Sequence, residues 1–259
     1  MRLFLSLCFA LCLCSTTSAE IQSKKLTYKV GDKECIGYLA WDDAKTGPRP
    51  GVLVVHEFWG LNDYARGRAD QLAKLGYIAF CADMYGDGKV VEHPADAAKM
   101  AAEVRKNVDQ WRKRAVVALD LLKTQPECDK SKVAAIGYCF GGSTCLTLAY
   151  TGADLQAVAT FHAALPTPTE DEAKKIKPTI LINHGADDKF IPEDAIKSLK
   201  SRFDAAKVKY DFISYSGAVH SFTVEGVDKL GNPGTKYNKE ADEKSWEAMK
   251  KLFAEKLGK

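Results

Sequence analysis

Five short, almost uninterrupted apolar runs, GVLVVHE, YIAFCAD, VAAIGYC, AVATFHA and TILINHG, recur along this chain, with helix-like segments between most of them. An alternating strand has one dry face, whereas a continuous apolar run has two. Strands buried on both sides need helices on each side, and strand–helix alternation supplies them around a mostly parallel sheet. The runs therefore predict a three-layer α/β fold, with helices on both faces of the sheet. KKLTYKV and KECIGYLA read as two opening strands, the second alternating and carrying Gly37 at a tight point. YDFISYS reads as the last strand. Asn62 is expected to cap a helix running to Leu75, with Gly76 stopping it. One helical stretch is expected from Pro94 to about Thr124, with Met100, Val104, Val108, Trp111, Ala115 and Leu119 on a recurring face. SWEAMKKLFAEKL closes the chain with Trp246, Met249 and Phe253 on one apolar stripe. No linker rich in Pro, Gly or Ser divides the chain, so residues 20–259 read as one domain.

Residues 1–19 read as a leader. Met1-Arg2 is a short basic start, LFLSLCFALCLC is too short to span a bilayer with ease, and STTSA ends in small residues. Cleavage after Ala19 is expected, placing the mature protein in the periplasm or the medium. Leu13 precedes Cys14, where lipidation would want a small residue. Three of the eight cysteines leave with the leader, and the odd remainder (Cys35, Cys81, Cys128, Cys139, Cys145) leaves at least one thiol unpaired. Cys81 and Cys145 read as packed thiols, Cys35 and Cys128 as lying nearer the surface. No CxxC pair or Cys/His cluster suggests zinc. The formal charge of +3 is spread along the chain, which gives nucleic acid no footprint.

One cysteine stands between glycines. GYCFGG, Gly137 to Gly142, follows VAAI and precedes STCLTLAY, a helix-like stretch. A residue on a sharp strand-to-helix turn stands at the carboxyl edge of the sheet, where open α/β folds bind ligands. Strain in such a turn demands small neighbours, and the helix N-terminus favours a thiolate. The N–H of Phe140 is then placed for an oxyanion. The pattern is the nucleophile elbow G-x-S-x-G with cysteine for serine; a packed thiol is the plainer alternative.

A nucleophile needs a base and an orienter, which on this architecture follow in the order nucleophile, acid, histidine. TILINHG is followed by ADDKFIP, with Asp187 and Asp188 in the loop, and YDFISYSG by Ala218-Val219-His220. Loops at the carboxyl ends of successive strands can converge. His220 is the expected base and Asp188 its orienter. His162 and His184 read as pocket-wall or core histidines, and His56 and His93 precede the nucleophile.

GYCFGG, ADDKFIP, AVHSF and VVHEFWGLN together resemble the dienelactone hydrolase family of α/β-hydrolases, from about residue 25 to 255. The resemblance implies an α/β-hydrolase fold with Cys139 as nucleophile, His220 as base and Asp188, four residues before Pro192, as the acid rather than Asp187. It implies that Glu57 is a buried carboxylate holding the resting thiol, and that the Phe58 N–H is the second oxyanion donor. Two arginines that grip a substrate carboxylate in dienelactone-specific members would fall at Asp87 and Val224. An acid at position 87 would repel an anion, and Lys89 would substitute only in part.

The pocket is expected to be lined by Phe58, Trp59, Tyr85, Phe140, His162 and Phe222, each beside a triad or oxyanion residue, and to offer no arginine. The expected activity is cleavage of esters or lactones, with thioesters as a further class, through a thiol-acyl intermediate. A catalytically silent binding protein is the alternative, and the complete cysteine, aspartate and histidine set argues against it. A thiol redox protein is disfavoured by the missing CxxC. A monomer acting on a small-molecule ester or lactone is expected, with no cofactor, no metal, no nucleic acid and no membrane once the leader is removed.

Overall fold

The computed structural model describes residues 20–258; the expected leader, residues 1–19, lies outside the described residues. Eight strands form one sheet in the order β1-β2-β4-β3-β5-β6-β7-β8. The opening hairpin, β1 (Ile21–Val30) and β2 (Lys33–Asp42), is antiparallel, and β2 runs antiparallel to β4 (Ile78–Ala82). All other pairings are parallel, through β3 (Arg49–Val55), β5 (Cys128–Tyr138), β6 (Ala157–Phe161), β7 (Thr179–Gly185) and β8 (Tyr210–Tyr215).

The two apolar faces explain the continuous runs. In β3, Leu53 and Val55 enter one core while Val52 and Val54 enter the other. Helices α3 (Val108–Lys123), α4 (Phe140–Tyr150) and α6 (Glu193–Ala205) cover the first face. The second is covered by α1 (Asp63–Lys74) and by α7 (Lys239–Leu257), whose Met249 and Phe253 are fully buried. Asn62 caps α1, its side chain accepting from the Ala65 N–H, and Gly76 turns the chain at φ 85°. No helix among the described residues is long and apolar enough to cross a membrane.

Two expectations need correction. The stretch from Pro94 to Thr124 is two helices, α2 (Pro94–Lys106) and α3, separated at Asn107. Asn107 is extended (φ −117°, ψ 97°) and its side chain accepts from the Gln110 N–H at 3.0 Å. An asparagine cap satisfies a free helix N–H, which outweighs continued helical periodicity. The break leaves Val108 exposed and swings the end of α2 towards the carboxyl edge of the sheet. Cys35 and Cys128 are also buried rather than near the surface. Cys35 sits opposite Tyr28 across the hairpin, and Cys128 fills the space above Gly51, where an added Cβ would lie 2.7 Å from its sulfur. All five described cysteines are free thiols.

Candidate active site

The turn from β5 into α4 is built tightly. Cys139 adopts φ 51° and ψ −114°, a conformation an L-residue holds only under strain. A Cβ on Gly137 would lie 2.1 Å from the Gly141 carbonyl oxygen, and one on Gly141 2.1 Å from that of Val55. Both positions therefore need glycine for close approach, whatever the local backbone angles. Cys139 is half-buried and begins α4 with its N–H on the Phe161 carbonyl, 3.0 Å away.

Two loops bring the expected partners to it. Asp188 follows β7 and His220 follows β8; the Asp187 N–H donates to the Ala218 carbonyl at 2.9 Å, tying one loop to the other. The side chain of Asp187 is exposed, whereas Asp188 is buried. Asp188 Oδ1 accepts from the Phe190 N–H at 2.9 Å, and Oδ2 lies 2.8 Å from His220 Nδ1. His220 Nε2 lies 3.1 Å from Cys139 Sγ. Burial alone would lower the His220 pKa, but the facing sulfur and the hydrogen bond to Asp188 outweigh it and push the imidazole up.

Glu57 lies at the end of β3, nearly fully buried. Ser221 donates to its Oε1 at 3.1 Å, and His162 Nδ1 is 4.0 Å from the same oxygen. Burial pushes the carboxyl up to about 7, against the opposing pull of His220, the Ser221 hydroxyl and Arg68. No hydrogen bond joins it to Cys139, whose sulfur faces His220 instead. The Phe58 N–H meets no acceptor among the described residues, and Phe140 is the first residue of α4, where an N–H has no intrahelical partner.

A cavity of about 300 Å³ opens beside Cys139 and His220. Phe58 and Trp59 line it as expected, joined by Phe190, Ile191, Leu230 and Arg105. Four residues expected in the wall stand behind it. Tyr85 is buried and donates its hydroxyl to the Phe58 carbonyl. Phe140 is turned into the core by α4. His162 is fully buried, 5.2 Å edge-to-face from His220, and Phe222 lies behind His162 at 5.4 Å. A place at the carboxyl edge of the sheet does not by itself turn a side chain into the cavity; tertiary packing takes Phe140 into the core and Phe222 behind His162. His184 is a core residue against Phe212, and His93 caps α2.

The expected absence of arginine is overturned by Arg105 at the end of α2. Arg105 is exposed as a residue, and its guanidinium carbon lies 5.1 Å from the Phe140 ring centroid and 5.9 Å from that of Trp111. It makes no ion pair among the described residues. The sequence signal for it was the cap at Asn107, which ends α2 just beyond this residue. Asp87 pairs with Lys33 away from the cavity, Lys89 lines a separate hollow under α2, and Val224 lies in a neighbouring groove. Among the described residues no three His, Cys, Asp or Glu side chains group to hold a metal ion.

The sheet order, the elbow and the loops at its carboxyl edge define an α/β hydrolase. An α/β hydrolase enzyme from a Medee basin deep-sea metagenome shares the fold at TM-score 0.67 and 16% identity, over 92% of this chain and 99% of that one. The model of the dienelactone hydrolase family matches residues 36–257, and this chain belongs to that family. Membership makes it a hydrolase of the ester- and lactone-cleaving class. A dienelactone hydrolase-like promiscuous phosphotriesterase from metagenomic libraries is 43% identical with TM-score 0.90, over 93% of this chain and all of that one. A putative carboxymethylenebutenolidase of Synechocystis sp. is 25% identical over 256 residues, covering 93% of this chain and 99% of that one.

Proposed function

We propose that this protein is an exported hydrolase that cleaves carboxylic esters or lactones, thioesters included, by acyl transfer through Cys139. One observation carries the reading: the unbroken line from Asp188 Oδ2 to His220 Nδ1 (2.8 Å) and from His220 Nε2 to Cys139 Sγ (3.1 Å). His220 takes the thiol proton as the sulfur attacks the carbonyl carbon, and Asp188 fixes the imidazole and stabilises its charged form. The tetrahedral oxyanion is received by the Phe58 and Phe140 N–H groups. Collapse expels the alcohol or thiol with the proton from His220. The same histidine then activates water, which releases the acid and restores the thiol. Export is supported by the basic start, the short apolar run and the small residues of 1–19. The chemistry uses side chains and backbone alone.

A second reading is phosphotriester cleavage, favoured by the 43% identity to the promiscuous phosphotriesterase. The same thiol would attack phosphorus and expel the p-nitrophenolate, the same N–H groups would receive the phosphoryl oxygen, and water activated by His220 would then break the S–P bond to release the phosphodiester and restore the thiol. Purified protein assayed with p-nitrophenyl acetate and with a p-nitrophenyl phosphotriester, before and after iodoacetamide, tests both. Cys139→Ala should lower turnover by on the order of 10³-fold or more without loss of fold. A variant with near-normal rates would sink the assignment.

A further inference from the structure

Two buried side chains that the acyl-transfer scheme leaves idle converge on the backbone of Phe58. His56, fully buried just past the end of β3, has Nδ1 2.5 Å from the carbonyl oxygen of Glu57 and Nε2 3.2 Å from the backbone nitrogen of Met84. The Met84 N–H can only donate and the Glu57 carbonyl can only accept. Nε2 is therefore the acceptor and Nδ1 carries the proton, which defines a single neutral tautomer. Burial keeps the ring in that form, lowering its pKa to about 4. Tyr85 donates its hydroxyl to the Phe58 carbonyl at 2.8 Å. The two rings meet edge to face at 5.0 Å, and His56 stacks on the ring of Phe140 at 6.0 Å.

A planar trans peptide directs its C=O and N–H to opposite sides, and no described peptide bond is cis. Holding the Glu57 carbonyl on His56 therefore turns the Phe58 N–H of the same peptide unit away from the imidazole. Holding the Phe58 carbonyl on Tyr85 fixes the next unit as well. Both peptide planes flanking the Phe58 Cα are thus pinned from behind, while the Phe58 side chain faces the cavity and its N–H stays unengaged. The stacking on Phe140 adds a shared support, because Phe140 carries the other donor. A backbone donor has no side chain of its own to lock it; its aim depends on what holds its peptide plane.

We propose that His56 and Tyr85 are positioning residues that aim the Phe58 N–H at the developing oxyanion. The inference rests on the thiol-enzyme reading above. A donor of this kind contributes only if it is fixed before charge develops, and a displacement of about 1 Å can cost on the order of 10²-fold in rate.

The bond from His56 to Met84 also ties β3 to the loop after β4, so a purely structural role must be separated from positioning. The experiment compares wild type with His56→Leu, His56→Asn and Tyr85→Phe, in two reactions of the same sulfur. Hydrolysis of p-nitrophenyl acetate passes through an oxyanion. In alkylation by iodoacetamide the Cys139 sulfur forms a carbon–sulfur bond as iodide departs, and no oxyanion arises. His56→Leu and Tyr85→Phe should lower kcat by roughly 10- to 100-fold with KM little changed and alkylation within about twofold of wild type. His56→Asn sets an amide N–H where Nδ1 stood but makes no bond to Met84, and it should recover most of kcat. Unchanged kcat in His56→Leu and Tyr85→Phe overturns the proposal. So does a parallel fall in alkylation, and so does an Asn variant no better than Leu. Wild-type hydrolysis that survives complete alkylation of Cys139 would instead overturn the thiol-enzyme reading, which keeps the two failures apart.

Discussion

Glu57→Gln is the perturbation that separates a catalytic carboxyl from a merely buried one. Glu57 is nearly fully enclosed, and burial raises its carboxyl from 4.5 to about 7, partly offset by His220, the Ser221 hydroxyl and Arg68. A tenfold change in proton affinity is worth about 1.4 kcal/mol, so the rise corresponds to about 3 kcal/mol. Between pH 4.5 and 7 the folded state holds this proton while the unfolded state has lost it. The folded state then binds more protons than the unfolded one, so stability falls as pH rises through that window and stays down above it. Glutamine keeps the shape, still accepts from Ser221, and does not titrate. Urea unfolding of both proteins from pH 4.5 to 8 should therefore show the variant gaining on the wild type by about 3 kcal/mol. The buried histidines His56, His162 and His220 are common to both proteins, so taking the difference removes their own contributions to first order. Parallel stability profiles would refute the buried, proton-holding carboxyl. In the same pH range, the rate of Cys139 alkylation should lose an inflection near 7 in the variant if Glu57 acts on the thiol. An unchanged alkylation profile would leave Glu57 with a structural part only.

Of the five described cysteines, iodoacetamide on the native, non-reduced protein should modify Cys139 alone, because burial pushes the thiols of Cys35 and Cys128 up to about 11 and those of Cys81 and Cys145 higher still; peptide mass spectrometry reads this, and rapid labelling of Cys81 would contradict it. Arg105→Ala should lower kcat/KM for a singly anionic half-ester by roughly fivefold to tenfold more than for p-nitrophenyl acetate, a modest factor because Arg105 is an exposed residue; equal losses would show that Arg105 does not read substrate charge. Asp242→Ala should cost about 2–4 kcal/mol in urea unfolding by leaving the buried Arg68 guanidinium without its carboxylate, 2.6 Å away; a change under about 0.5 kcal/mol would mean that Arg68 is satisfied by its remaining acceptors.

The sheet, its two cores and the convergence of Cys139, Asp188 and His220 were legible because each rests on a strong local signal: a two-sided apolar run, glycines around a turn, a polar residue just past a strand. The pocket wall was much less so. Tyr85, Phe222 and His162 each follow a strand at the carboxyl edge of the sheet, yet each points behind the cavity, since direction at a loop is set by tertiary contacts that a string of letters does not encode. Arg105 reaches the cavity only because Asn107 ends the helix, and the asparagine cap competed there with a helical period that ran straight through it. Cys128 was misjudged for a similar reason. It begins β5 beside charged residues, but Gly51 on the neighbouring strand leaves a space its sulfur fills.

The loop bearing His220 shows how the fold supports a precise site on irregular backbone. Loops are ordinarily the mobile part of an α/β enzyme, yet a base must stay within hydrogen-bond reach of its nucleophile. Here residues 221–223 are tied down on three sides. Ser221, at φ 54°, bonds Glu57. Thr223 Oγ1 lies 2.8 Å from His162 Nε2 and 2.6 Å from the Tyr64 hydroxyl. Arg68 donates to the Thr223 carbonyl at 2.9 Å while paired to Asp242 of α7. The charge of Arg68 thus holds a loop in place, which accounts for a buried arginine on α1. The same ties lead from α7 and α1 through Thr223 and His162 to within 4.0 Å of Glu57, so disturbing Asp242 should reach His220, the proposed base, as well as the fold. A loss of kcat in Asp242→Ala that exceeds the fraction unfolded at the assay temperature would show this transmission. Activity that tracks the folded fraction alone would confine Arg68 to stability.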